Sequence, residues 1–149
     1  MTNEALNIHL FKAVSYSDRE GIKRLVRRGA NVNAKRDDNS TPLHSASARG
    51  DALTVKQLVE LGAEINACDA HGQTPLHVAT CLDNLEAAQQ LIDCGASLRE
   101  RDVDGQTPLD VAEFWGATQI AKLIRAAAQQ MSFAERTQKR PIDPSKGKQ

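Results

Sequence analysis

Large aromatic side chains are almost missing from this chain: of 149 residues, three are Phe, one is Tyr and one is Trp. A core built on big rings is therefore excluded, and any core must rest on Leu, Ile, Val and Ala. Cysteine is scarce and odd in number, at Cys68, Cys81 and Cys94, so a disulfide framework is not expected. With His71 and His77 nearby a metal reading arises, but the paired ligand spacing of a structural zinc site is missing, and no metal or cofactor is expected. No apolar run is long enough for a membrane span, and Met1-Thr2-Asn3-Glu4 lacks the basic then hydrophobic plan of a signal peptide. A cytoplasmic location is the expectation. Net charge is also lacking, at zero, and nothing marks a nucleic-acid footprint. The balance is uneven, since residues 1–131 carry 14 basic and 17 acidic groups while residues 132–149 carry 5 and 2.

Catalytic signatures are lacking as well. Ser45 follows His44, yet there is no nucleophile elbow, no glycine-rich phosphate loop and no H-E-x-x-H. Adjacent residues on a helix also point apart. An enzyme is the reading opposed to a binding module, and these absences weigh against it.

What the chain has is repetition. Thr41-Pro42-Leu43-His44 returns as Thr74-Pro75-Leu76-His77, and Thr107-Pro108-Leu109-Asp110 follows at the same interval of 33 residues. Gly29-Ala30, Gly62-Ala63 and Gly95-Ala96 keep the same phase. Stepping without gaps from the Thr-Pro anchor divides the chain into units 3–35, 36–68, 69–101 and 102–131, followed by a polar basic segment 132–149 expected to be a disordered tail. Its Pro141-Ile142-Asp143-Pro144-Ser145-Lys146 fits a P-x-x-P-x-K pattern, which domains with aromatic grooves can bind. The first unit is degenerate, with Ile8, His9 and Phe11 at the Thr, Pro and His positions, as an end cap would be.

Residue chemistry turns each unit into two helices. Thr41, Thr74 and Thr107 can cap a helix, and the following Pro42, Pro75 and Pro108 suit its first position. Ala13, Ala46, Ala79 and Ala112 recur on one face, where small side chains would let neighbouring first helices approach closely. Second helices show apolar spacing such as Val55, Leu58, Val59 and Ile120, Leu123, Ile124. They end at Gly29, Gly62 and Gly95, but Ala128 imposes no stop, so the last helix is expected to run into Gln130. Between units, Asp69-Ala70-His71-Gly72 and Asp102-Val103-Asp104-Gly105 read as tight turns, with Asn39 in the glycine position one unit earlier.

A period of 33 residues built on T-P-L-H resembles the ankyrin repeat, across about 130 residues of the chain. The resemblance implies an all-α solenoid of stacked helix-turn-helix units with β-hairpin fingers. It gives Thr41, His44, Thr74 and His77 structural hydrogen bonds, with Asp110 and Glu113 departing toward a polar closing face. It also implies binding of another protein in a concave groove formed by the finger tips and the exposed side of the first helices.

On that implied surface, the last residues of the first helices form one row, Tyr16, Arg49, Leu82 and Trp115, beside a second, Ser15, Ala48, Cys81 and Phe114. The only Tyr and the only Trp share a row, and Tyr, Trp and Arg are the types enriched in binding hot spots. Phe114 and Trp115 could equally cover the hydrophobic end of the array. Finger tips add a polar rim of Asp37, Asp38, Ala70, His71, Val103 and Asp104, with Ser40, Gln73 and Gln106 just after. Lys23, Arg24, Arg27, Arg28, Lys35 and Arg36 make the first unit basic, as a solvated face or a second contact. The expectation is a monomeric module for protein binding, as adaptor, targeting module or stoichiometric inhibitor; the alternative is an exported bacterial effector using the same groove on host proteins.

Overall fold

The computed structural model describes residues 2–138; the proline pattern at 141–146 lies outside the described residues. Helices come in pairs: α1 (Asn3–Ser15) with α2 (Arg19–Arg27), α3 (Pro42–Arg49) with α4 (Ala52–Glu60), α5 (Pro75–Cys81) with α6 (Leu85–Asp93), and α7 (Pro108–Trp115) with α8 (Thr118–Gln138). First helices stack on one another in the order α1, α3, α5, α7, and α4, α6 and α8 stack behind them.

Local chemistry sets the helix starts. Thr41, Thr74 and Thr107 are extended residues whose hydroxyls accept from the amide three positions on, and each precedes a proline in the first turn. The return bond comes from the third helical residue: His44 Nδ1, His77 Nδ1 and Asp110 Oδ2 accept from the Thr amides at 3.0–3.1 Å. Such reciprocal caps satisfy two orphan donors at once. In the first unit no proline fixes the start, and α1 reaches back to a cap at Thr2, giving 13 residues against 8 in α3.

The histidines also tie one unit to the next. A backbone N–H can only donate, so Nδ1 of His44 accepts from Thr41 and Nε2 carries the proton, donating to the Gln73 carbonyl at 2.8 Å. His77 repeats this, with Nε2 donating to the Gln106 carbonyl at 2.9 Å. Asp110 has no donor to pass onward, and no finger follows it among the described residues; the Thr107 amide and hydroxyl hold its carboxyl below the ordinary range. Phe11 takes the histidine position in the first unit, and there the Arg36 guanidinium lies over the ring, 4.3 Å from its centre. A cation–π contact thus replaces the hydrogen bond.

Burial pushes the His44 imidazole below its ordinary value of 6.5, outweighing the opposing bond to Gln73. The folded state therefore keeps this ring neutral where the unfolded chain takes a proton, and stability falls as pH drops below the unfolded value. Urea unfolding at about pH 7.5 and about pH 5.5 is expected to show a loss for the wild type that shrinks in His44→Gln. An equal loss in both would contradict this assignment.

The period carries through the core. Ala13, Ala46, Ala79 and Ala112 are buried in phase, as are Ile22, Val55, Ala88 and Ala121, and Leu58, Leu91 and Ile124. Ser47 and Thr80 are buried too, their hydroxyls donating to the Leu43 and Leu76 carbonyls at 2.7 Å. At the equivalent place in the last unit Glu113 is exposed and pairs with Arg125 of α8. The second-helix layer is looser at its start, where a polar cleft of roughly 600 Å³ separates α2 from α4 and Gln57 bridges it to the Arg19 carbonyl.

Two expectations need correction. The fingers close as tight hairpin turns without strands: Arg36, Asp69 and Asp102 amides each donate to the carbonyl four residues on, at 3.0 Å, their own carbonyls accept from Asn39, Gly72 and Gly105, and no strand forms among the described residues. Arms this short leave no room for a ladder; neighbouring fingers are joined instead by single backbone bonds, Ala70 to Asp38 and Val103 to His71. Asn39, Gly72 and Gly105 occupy the left-handed turn position with φ of 62°, 70° and 76°. The second correction concerns α8, which runs past Gln130 to Gln138, so the boundary expected at 131 falls inside a helix. Ala126-Ala127-Ala128-Gln129-Gln130 contains only strong helix formers, so nothing halts propagation.

Candidate functional site

The stacking of first helices brings their C-terminal ends side by side. Arg49 and Trp115 are the final residues of α3 and α7, while Tyr16 and Leu82 are the C-caps of α1 and α5. All four are exposed, Tyr16 by 74%, Leu82 by 53% and Trp115 by 62%. The chain must reverse just beyond, and Ser17, Gly50, Asp83 and Gly116 do so with positive φ in every unit. That common corner keeps the row in register although two of its four residues are not glycine.

The second row is less uniform. Ser15 is half-buried and its hydroxyl donates to the Phe11 carbonyl at 3.0 Å. Ala48 is exposed, and its carbonyl accepts from the Asn84 side chain. This bond explains a departure in α6: Asn84 reaches back to the Ser47 and Ala48 carbonyls and makes no side-chain cap of its own helix, whereas Asp18 and Asp51 cap α2 and α4. Cys81 is half-buried, and Phe114 is 69% exposed, meeting Trp115 edge to face with ring centres 5.1 Å apart.

The finger residues divide by role. Asp38 accepts from the Ser40 hydroxyl at 2.6 Å and from its amide at 3.0 Å, and these bonds hold its carboxyl below the usual range. The His71 amide bonds to Asp69 Oδ1, and the His71 carbonyl accepts from Val103. The Gln73 and Gln106 carbonyls receive the buried histidines, while both side chains are half-buried.

Six of the expected site residues, Gln73, Cys81, Asp104, Gln106, Phe114 and Trp115, line one recess of roughly 340 Å³ where α5 and α7 face the last finger. Asp102, expected only as turn chemistry, and Val111, which no sequence motif singles out, complete it. Ser15 lies far along the groove, in a second recess of roughly 820 Å³ beside Phe11, Arg36 and Asp37. Tyr16 instead borders a depression on the outer face of the first unit, with Lys12, Arg24, Arg27 and Arg28. Arg49, Leu82, Ala48, Asp38, Ser40 and His71 line none of these three recesses. The row is thus an exposed ridge end with a pocketed patch at its Trp115 end.

Among the described residues no three His, Cys, Asp or Glu side chains gather as metal ligands. No helix among them is long and apolar enough to cross a membrane.

The family model described as ankyrin repeats, three copies, matches residues 10–102 and again residues 54–133. No curated protein matches the sequence.

Proposed function

Because the chain belongs to the ankyrin-repeat family, whose repeats are in general modules for protein–protein interaction and typically not catalytic, we propose that it binds a partner protein through its groove. Tyr16, Arg49, Leu82 and Trp115 form the contact row, with Ser15, Ala48, Cys81 and Phe114 beside it. One observation carries this reading. In a chain this poor in aromatics, the single Tyr and the single Trp both stand exposed on the one row that the repeat defines. Rings this exposed at equivalent positions are little used in the stack and are of the types that dominate interface energetics. The finger residues Asp38, Ser40, His71, Gln73, Asp104 and Gln106 supply a polar rim, which screens such a centre from water.

The mechanism is surface complementarity on a preformed scaffold, suited to an adaptor, a targeting module or a stoichiometric inhibitor. Affinity capture from the native lysate tests it, with wild type beside a variant carrying Tyr16→Ala, Arg49→Ala and Trp115→Ala. A control carries Leu53→Ala and Lys122→Ala on the second helices, where both residues are exposed. The groove variant is expected to keep its helical content and lose its partners, and the control to keep them. Retention of the same partners by the folded groove variant would contradict the proposal.

A further inference from the structure

The recess at the Trp115 end has a chemistry that selects its occupant. We propose that it receives the side chain of an arginine or lysine from the partner protein, an inference that rests on the groove reading above. Phe114 and Trp115 stand at the recess with both rings largely exposed and perpendicular at 85°. Ring faces carry negative electrostatic potential and attract a cation, Trp most strongly. The last finger contributes two carboxylates, Asp102 and Asp104, to the same lining. Asp102 is fixed, its Oδ1 accepting from the Asp104 and Gln106 amides at 3.0 and 2.9 Å. Asp104 is exposed, and its carboxylate has no hydrogen bond among the described residues.

No basic side chain lines the recess. Arg101, the nearest in sequence, is folded onto its own finger, where Nη1 donates to the Gly105 carbonyl at 2.9 Å. The alternatives are disfavoured by elementary electrostatics. An aliphatic anchor would strip water from Asp102 and Asp104 and return no hydrogen bond, and an acidic anchor would meet two like charges. A guanidinium or ammonium satisfies both walls at once, lying against the aromatic pair while donating to the carboxylates. A volume of roughly 340 Å³ accommodates one long side chain.

The test selects peptides from a phage-displayed library of random sequences on the full chain, then measures resynthesised peptides by calorimetry. For wild type the fluorescence of the single Trp is followed as well. Enriched peptides are expected to share an Arg or Lys, and replacing it by Met should weaken binding roughly tenfold or more. Trp115→Leu and Asp104→Asn should each weaken it comparably, and added salt should reduce the Asp104 effect. Both residues are exposed, and far-UV circular dichroism checks that the variants fold. A selection that enriches no peptide, or only peptides without a shared basic residue, overturns the inference. So does binding of basic peptides that ignores Trp115 and Asp104. If such binding still depends on Tyr16 or Arg49, the recess assignment falls and the groove stands; indifference to all four positions removes both.

Discussion

Replacing His77 by alanine is expected to lower the stability of the array by about 3 kcal/mol, the combined cost of a lost buried hydrogen-bonding group and the partners it strands. His77 is fully buried, and it is the only side chain that satisfies both the Thr74 amide and the Gln106 carbonyl. Alanine leaves the first without its capping acceptor and the second with the Asp102 amide as its remaining donor, and it opens a void between α5 and the last finger. Because His77 ties the third unit to the fourth, the loss should show as early unfolding of the α7 and α8 pair. Urea titration followed by circular dichroism and by Trp115 fluorescence measures both, and the fluorescence transition should move to lower urea ahead of the circular dichroism. The equivalent change at Asp110, which makes no onward bond, should cost no more than an ordinary cap, about 1 kcal/mol.

The second large effect is expected at Leu91→Ala, with a loss of about 3 kcal/mol or more from transfer and cavity terms together. Leu91 is fully buried in α6, the helix that packs on both α4 and α8. A solenoid has no central core to redistribute the damage, so a void at an internal interface removes a nearest-neighbour coupling from each side. Leu25 holds the same position in the first unit but is only half-buried beside the depression on the outer face. Leu25→Ala should therefore cost clearly less, and chemical unfolding of the two variants side by side checks the order.

Much of this was legible before any coordinates, for a physical reason. A repeat reports its own register: once Thr41, Thr74 and Thr107 are aligned, every position inherits the environment of its equivalents, so the caps, the buried alanines and the exposed row follow. Elements that depend on a single unit were not legible. The length of α8 depends on the absence of a stop, which sequence places only loosely. Asn84 looks like the N-cap that its neighbours Asp18 and Asp51 are, and its switch to the Ser47 and Ala48 carbonyls requires knowing where the preceding helix ends. The fingers are expected as hairpins, and their arms pair only through the bonds that close each turn, too short to form strands.

The candidate site was legible in the same uneven way. The row came from the register alone. The recess did not, because it joins α5, α7 and a finger whose Asp102 reads as turn chemistry. Asp102 serves both purposes: one oxygen orders the turn through two amides, and the carboxylate charge remains at the recess. Tyr16 also shows what a row conceals, since its place on the first unit gives it an open neighbour of basic residues and no adjoining finger recess.

The claim that the groove is the binding surface is tested most directly by nuclear magnetic resonance of the isotope-labelled chain with its captured partner. The largest shift changes are expected on the amides of Tyr16, Arg49, Leu82 and Trp115 and on the Trp115 indole, with smaller ones at the finger tips. Changes confined to the second helices, at Leu53, Lys56 and Lys122 on α4 and α8, with the Trp115 indole unmoved, would contradict it.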